Sequence, residues 1–144
     1  MVHLDLPWPP ALNHYYRSVT IKGQARVLIS REGREYRHRL AMVVVLRGKA
    51  KPLAGALYLN LTLHPPDKRR RDIDGPLKAL LDALTHAHVW EDDSQVRDLH
   101  IRFGNVVKGG RVVSAGEGRH DTEGEGAKKP GSDGGGLGAA EGYG

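Results

Sequence analysis

Apolar and polar positions alternate most strictly over residues 55–63, where Leu57, Leu59, Leu61 and Leu63 form one unbroken apolar face. A period of two puts every second side chain on the same side of an extended chain, so this stretch predicts a strand packed on a core. Val2, Leu4, Leu6 and Trp8 show the same period at the start of the chain, where Pro7, Pro9 and Pro10 end it. Leu99, Ile101 and Phe103 repeat it again, and Lys108-Gly109-Gly110-Arg111 reads as a tight turn into Val112-Val113. Residues 15–29 predict a hairpin around Lys22-Gly23, with residues 26–29 as its second strand.

Two segments carry the helical period instead. Ser30 is a good N-cap, and Tyr36, Leu40, Val43, Val44 and Arg47 follow it at helical spacing, which predicts a helix over 31–48 closed by Gly48. After Pro76, the spacing of Leu77, Leu80, Leu81 and Leu84 predicts a second helix packing one stripe on the sheet. From Ser114 onward the period disappears, and 11 of residues 115–144 are Gly. The division expected is therefore a folded domain over 1–114, with a short last strand, and a disordered Gly-rich tail over 115–144. A chain of 144 residues suits one such domain.

Charge changes the picture. The net +5 is uneven: residues 1–114 hold 19 Lys/Arg against 11 Asp/Glu, and residues 115–144 hold 3 against 6. A basic body of this kind suits a polyanion, nucleic acid ahead of membrane, since no basic amphipathic anchor is evident. The absence of Cys excludes disulfides, thiolate metal sites and Cys nucleophiles. With no long apolar run and no signal-peptide pattern, no membrane association and a cytoplasmic address are expected.

Candidate chemistry gathers between 68 and 96. Lys68, Arg69, Arg70 and Arg71 run directly into Asp72 and Asp74, and Glu91-Asp92-Asp93 follows about twenty residues later. In an extended segment the side chains of Asp72 and Asp74 share a face, so both can address one divalent cation. The cationic run would suit a phosphodiester backbone. Lys78 could stabilise charge on a scissile phosphate or simply pair with Asp82 at i, i+4. Near the start, Asn13, Tyr15, Tyr16 and Arg17 could contact a nucleic-acid strand by stacking, or the tyrosines could close the core edge.

These residues resemble the RusA family of Holliday-junction resolvases. The resemblance runs in order through Leu6-Pro7-Trp8-Pro9-Pro10, Asn13 with Tyr15-Tyr16-Arg17, and Asp67-Lys68-Arg69-Arg70-Arg71-Asp72-Ile73-Asp74. It continues through Leu77-Lys78-Ala79-Leu80-Leu81-Asp82-Ala83-Leu84, Trp90-Glu91-Asp92-Asp93-Ser94-Gln95-Val96 and Lys108-Gly109-Gly110-Arg111. It implies an α/β (α+β) fold, with a mixed sheet packed by two helices, and a homodimer. It also implies cleavage of four-way junction DNA by paired nicks, with Mg²⁺, or alternatively Mn²⁺, as cofactor. Carried over by position, the metal-binding catalytic carboxylates are Asp72, Asp74 and Asp93, and the essential lysine is Lys78. Asp92 stands beside them as a further ligand or positioning residue. Gly75 occupies a position often Asn in the family, and the early loss of period after Val113 is a departure from its longer last strand. Two rivals follow: a non-catalytic junction binder whose truncated last strand has cost it activity, and a sugar-nucleotide transferase using Asp72 and Asp74 for Mn²⁺.

Overall fold

In the computed structural model, which describes residues 2–48 and 51–119, the alternating leucines lie at the centre of the molecule. They belong to β4 (Ala56–His64), and all four are buried. Around it the chain forms, in order, β1 (Val2–Leu6), α1 (Leu12–Tyr15), β2 (Tyr16–Ile21), β3 (Gln24–Ile29) and α2 (Arg31–Arg47). After β4 come α3 (Leu77–His86), a 3₁₀ turn (Asp93–Gln95), β5 (Val96–Phe103) and β6 (Arg111–Arg119). The main sheet has the order β1-β6-β4-β5; β4 and β5 are parallel and the other pairs antiparallel. A parallel pair needs a crossover, and α3 supplies it. The fold is thus α+β with a mixed sheet, as expected. Strands β2 and β3 pair separately as the predicted hairpin.

The sequence period decides which face each helix buries. Helix α2 buries Gly33, Tyr36, Leu40 and Val44, and α3 buries Ala79, Leu80, Ala83 and Leu84. Both stripes join Leu4, Leu6 and Val112 over β4 in one core. The ends of α2 are those expected: Ser30 Oγ accepts the Gly33 amide at 2.9 Å, and Gly48 closes the helix in left-handed conformation. The buried Trp90 is anchored through its indole N–H, which donates to Thr85 Oγ1 at 2.6 Å.

The expected short last strand is corrected. β6 runs nine residues to Arg119 and lies inside the sheet, paired from Arg111 with β4 and through Gly116 with β1. Five residues assigned to the tail are therefore sheet residues. Its glycines hide the strand because they are sites of close approach: a Cβ on Gly116 would sit 2.7 Å from Leu59 Cδ2, and one on Gly118 would collide with the Ala54 carbonyl. The rest of the expected tail, residues 120–144, lies outside the described residues.

Candidate active site and nucleic-acid interface

Both β1 and β4 run toward the same end of the sheet, and the segments leaving them enclose a cleft of about 1560 Å³. One wall is the N-terminal segment, including Asn13, Tyr16 and Arg17; the other carries Arg69, Arg70, Arg71, Asp72, Asp74 and Lys78. Trp8, expected as the last inward residue of the first strand, lies beyond β1 and lines the cleft with Pro9 and Val27.

The basic run is not uniform. Arg71 Nη1 lies 2.8 Å from Asp67 Oδ1 and donates to the carbonyls of Asp67 and Arg69, and the guanidinium stacks over Trp8. Only 20% of its side chain is exposed, so Arg71 folds the loop rather than standing free for a phosphate. Arg69 also pairs with Asp67, at 3.2 Å, but its side chain is 80% exposed. Lys68 and Arg70 are exposed and make no ion pair among the described residues. The Arg71 hydrogen bond, then the Arg69 amide, hold the Asp67 carboxyl well below the ordinary carboxylate range. Gly110 fits because a Cβ there would approach Trp8 Cβ to 2.6 Å, and both Gly109 and Gly110 adopt positive φ in the turn before β6.

Asp72 and Asp74 do not lie on an extended segment as expected. Residues 73–76 form a turn in which the Asp72 carbonyl accepts from Gly75 N–H at 3.1 Å, and the Asp74 carbonyl from Leu77 N–H at 3.1 Å. The turn leads directly into α3, and both carboxylates remain exposed in the cleft with Lys78. Lys78 does not pair with Asp82. That carboxylate is taken by Arg37 at 2.8 Å and by the Tyr15 hydroxyl. The reading of Tyr15 as a DNA-stacking residue is corrected with it: the ring is fully buried, edge-on to Tyr16 and Tyr36. Tyr16, half-buried, faces the cleft. Its phenol is pushed up first by burial, then by the Asp82 and Asp93 charges, so it stays protonated and able to donate.

Asp93 opens the 3₁₀ turn, half-buried and close enough to influence Tyr16, but it does not line the cleft. Gln95 fixes that turn. Its Oε1 accepts the amides of Glu91 and Asp92 at 3.0 Å, and its Nε2 donates to the carbonyls of Leu53 and Gly55. Asp92 is bound by the Ser94 hydroxyl at 2.5 Å, which holds its carboxyl below the usual range. Among the described residues, no three His, Asp or Glu side chains converge on one ion position. Asp72 and Asp74 alone share the groove, which still fits a hydrated Mg²⁺ taking one or two carboxylates and the substrate's phosphate oxygens.

The groove has cations on both walls and the exposed carboxylates of Asp72 and Asp74 on one of them, a combination suited to a phosphodiester backbone. Comparison with known proteins narrows the class: the family described as endodeoxyribonuclease RusA matches residues 7–114. The crossover junction endodeoxyribonuclease of Enterobacteria phage 82 is 42% identical over 110 residues, covering 76% of this chain and 88% of its own. The proteins of that name from Escherichia coli O1:K1 and Shigella sonnei are each 40% identical over 109 residues, with the same coverage. The chain belongs to the RusA endodeoxyribonuclease family. No helix among its described residues is long and apolar enough to cross a membrane.

Proposed function

We propose that the protein is a Mg²⁺-dependent, cytoplasmic endonuclease that resolves four-way DNA junctions in recombination and repair. The observation that carries this reading is the cleft itself, which opposes Asp72, Asp74 and Lys78 to Asn13, Tyr16 and Arg17. Asp72 and Asp74 would hold Mg²⁺ (or Mn²⁺), and Asp93, on the 3₁₀ turn outside the cleft lining, would complete the ligand set when substrate is bound. The ion would supply Lewis-acid stabilisation of phosphate charge and a water of lowered pKa. Lys78, a compact cation one helical turn beyond Asp74, balances charge at the scissile phosphate. Lys68, Arg69 and Arg70 seat the backbone, and Arg71 shapes the loop that presents them. Tyr16 donates its hydroxyl or stacks on a base, with Asn13 and Arg17 beside it. Paired nicks need two such sites, and a homodimer related by a two-fold axis supplies them.

The rival of a junction binder disabled by a truncated last strand has lost its premise, since β6 is complete across β4. The test is incubation with labelled four-way junction and matched linear duplex, with and without Mg²⁺. Symmetric nicks confined to the junction, and only with the metal, are expected. Binding without nicking under both conditions, or equal cutting of the duplex, sinks the reading.

A further inference from the structure

We propose that Asp82, held through Oδ2 by Tyr15 and Arg37, is a positioning residue that fixes the N-terminal wall of the cleft against the helix bearing Lys78. The inference rests on the cleavage reading above. Three elements meet at this carboxylate. Tyr15 at the end of α1 donates its hydroxyl to Oδ2, and Arg37 of α2 donates to the same oxygen through Nε at 3.0 Å and Nη2 at 2.8 Å. Arg37 Nε also donates to the Tyr15 oxygen at 3.1 Å, so the three groups form a closed ring.

Stability alone does not account for such a ring. The side chains of Arg37 and Asp82 are only 23% and 25% exposed, and the desolvation of a pair so placed offsets much of its attraction. What the ring does supply is fixed geometry. Helix α1 is a single turn of four residues without a side-chain cap, too short to hold its own shape. Ser30 fastens its end to α2, by amide and hydroxyl contacts to the Tyr15 carbonyl at 2.9 Å. Asp82 is what fastens it to α3. Lys78 precedes Asp82 by four residues, which places both on one side of α3. Tyr16, edge-on to Tyr15 with ring centroids 4.8 Å apart, presents the opposite wall. The ring therefore ties the segment carrying Tyr16 to the helix carrying Lys78, and so sets the gap between the two walls.

The test uses the full chain carrying Asp82→Ala, or Tyr15→Phe, which removes one hydroxyl and preserves the buried ring. Hydrogen exchange of residues 12–18 and single-turnover junction cleavage are measured at a temperature where circular dichroism shows each variant folded. Exchange over 12–18 should rise, and cleavage should slow on the order of 10- to 100-fold with junction Kd within about threefold. In a Lys78→Ala background the further loss on adding Asp82→Ala should be much smaller, because both act on the same placement. Unchanged exchange over 12–18, full cleavage by folded Asp82→Ala, or strictly multiplicative losses in the double variant would each overturn the proposal. Failure of the wild-type chain to cut junctions overturns the functional reading instead, while exchange still reports whether the ring holds the wall.

Discussion

The guanidinium of Arg71 lies over the indole of Trp8, its central carbon 5.7 Å from the ring centroid, while Arg70 beside it has no ion-pair partner among the described residues. Neighbours of one residue type thus have different work. Arg71→Ala should lower the melting temperature, through loss of the stacking on Trp8 and of the Asp67 contact. Arg70→Ala should leave the melting temperature unchanged and reduce the slope of log K against log salt by about one. Melts and binding titrations at several salt concentrations distinguish the two; equal slope losses would mean that Arg71 also contacts phosphate.

Asp72→Asn, Asp74→Asn and Asp93→Asn should each reduce junction cleavage to below about 1% of wild type, a barrier increase of roughly 3 kcal/mol. Binding should hold or tighten, since each change removes negative charge from a phosphate-facing region. A variant that cleaves at near the wild-type rate with Mg²⁺ loses its residue's assignment. Asp93, outside the cleft lining, is the most exposed to this outcome.

A chain ending at Arg119 should keep its fold and junction cleavage. Residues 120–144 hold two Lys against five Asp/Glu, so their removal should slightly raise non-specific DNA affinity at low salt. A chain ending at Ser114 should lose cooperative unfolding, because it removes the partners of Val2 and His3 on β1 and of residues 56–60 on β4. Calorimetry on the two truncations checks both expectations.

Ser30→Ala should destabilise by about 1–2 kcal/mol, the upper part of the usual N-cap range. The hydroxyl caps α2 and also donates to the carbonyls of His14 and Tyr15. Denaturant melts of Ser30→Ala beside Ser30→Thr, which keeps the acceptor, measure the cost.

The Asp67 contacts carry a pH signature. A carboxyl whose folded pKa is lowered adds stability that is complete above its unfolded pKa and is lost as pH falls through the folded value. The order of the 67–71 loop should therefore persist from neutral pH down through the ordinary carboxylate range and fail only in stronger acid. Amide exchange at Arg69, whose N–H donates to Asp67 Oδ1 at 3.0 Å, reads this directly. Asp67→Asn should abolish the acid transition.

Much of the architecture was legible because its signals are local. The β4 alternation, the Ser30 and Gly48 ends of α2 and the Lys22-Gly23 turn each depend on near neighbours in the chain. The continuation of β6 past Ser114 was not, since Gly116 and Gly118 answer to Leu59 and Ala54, distant in sequence. At the site, the grouping of Asp72, Asp74 and Lys78 could be anticipated. The sorting of Tyr15 inward and Tyr16 outward could not, because it depends on one short helical turn. Nor does anything near Asp82 announce Arg37, its partner across 45 positions.

The position of β6 also bears on how the molecule is made. Val2 waits for Gly116, and the edge of β4 that faces β1 has no ladder partner until the same strand arrives. Contacts so far apart along the chain slow folding, and a chain still being synthesised leaves that edge of β4 unpaired meanwhile. The groove stands at the end of that sheet, so it too awaits the final strand. An interrupted message would therefore yield no half-working nuclease, and the capacity to cut DNA would be withheld until synthesis has passed β6.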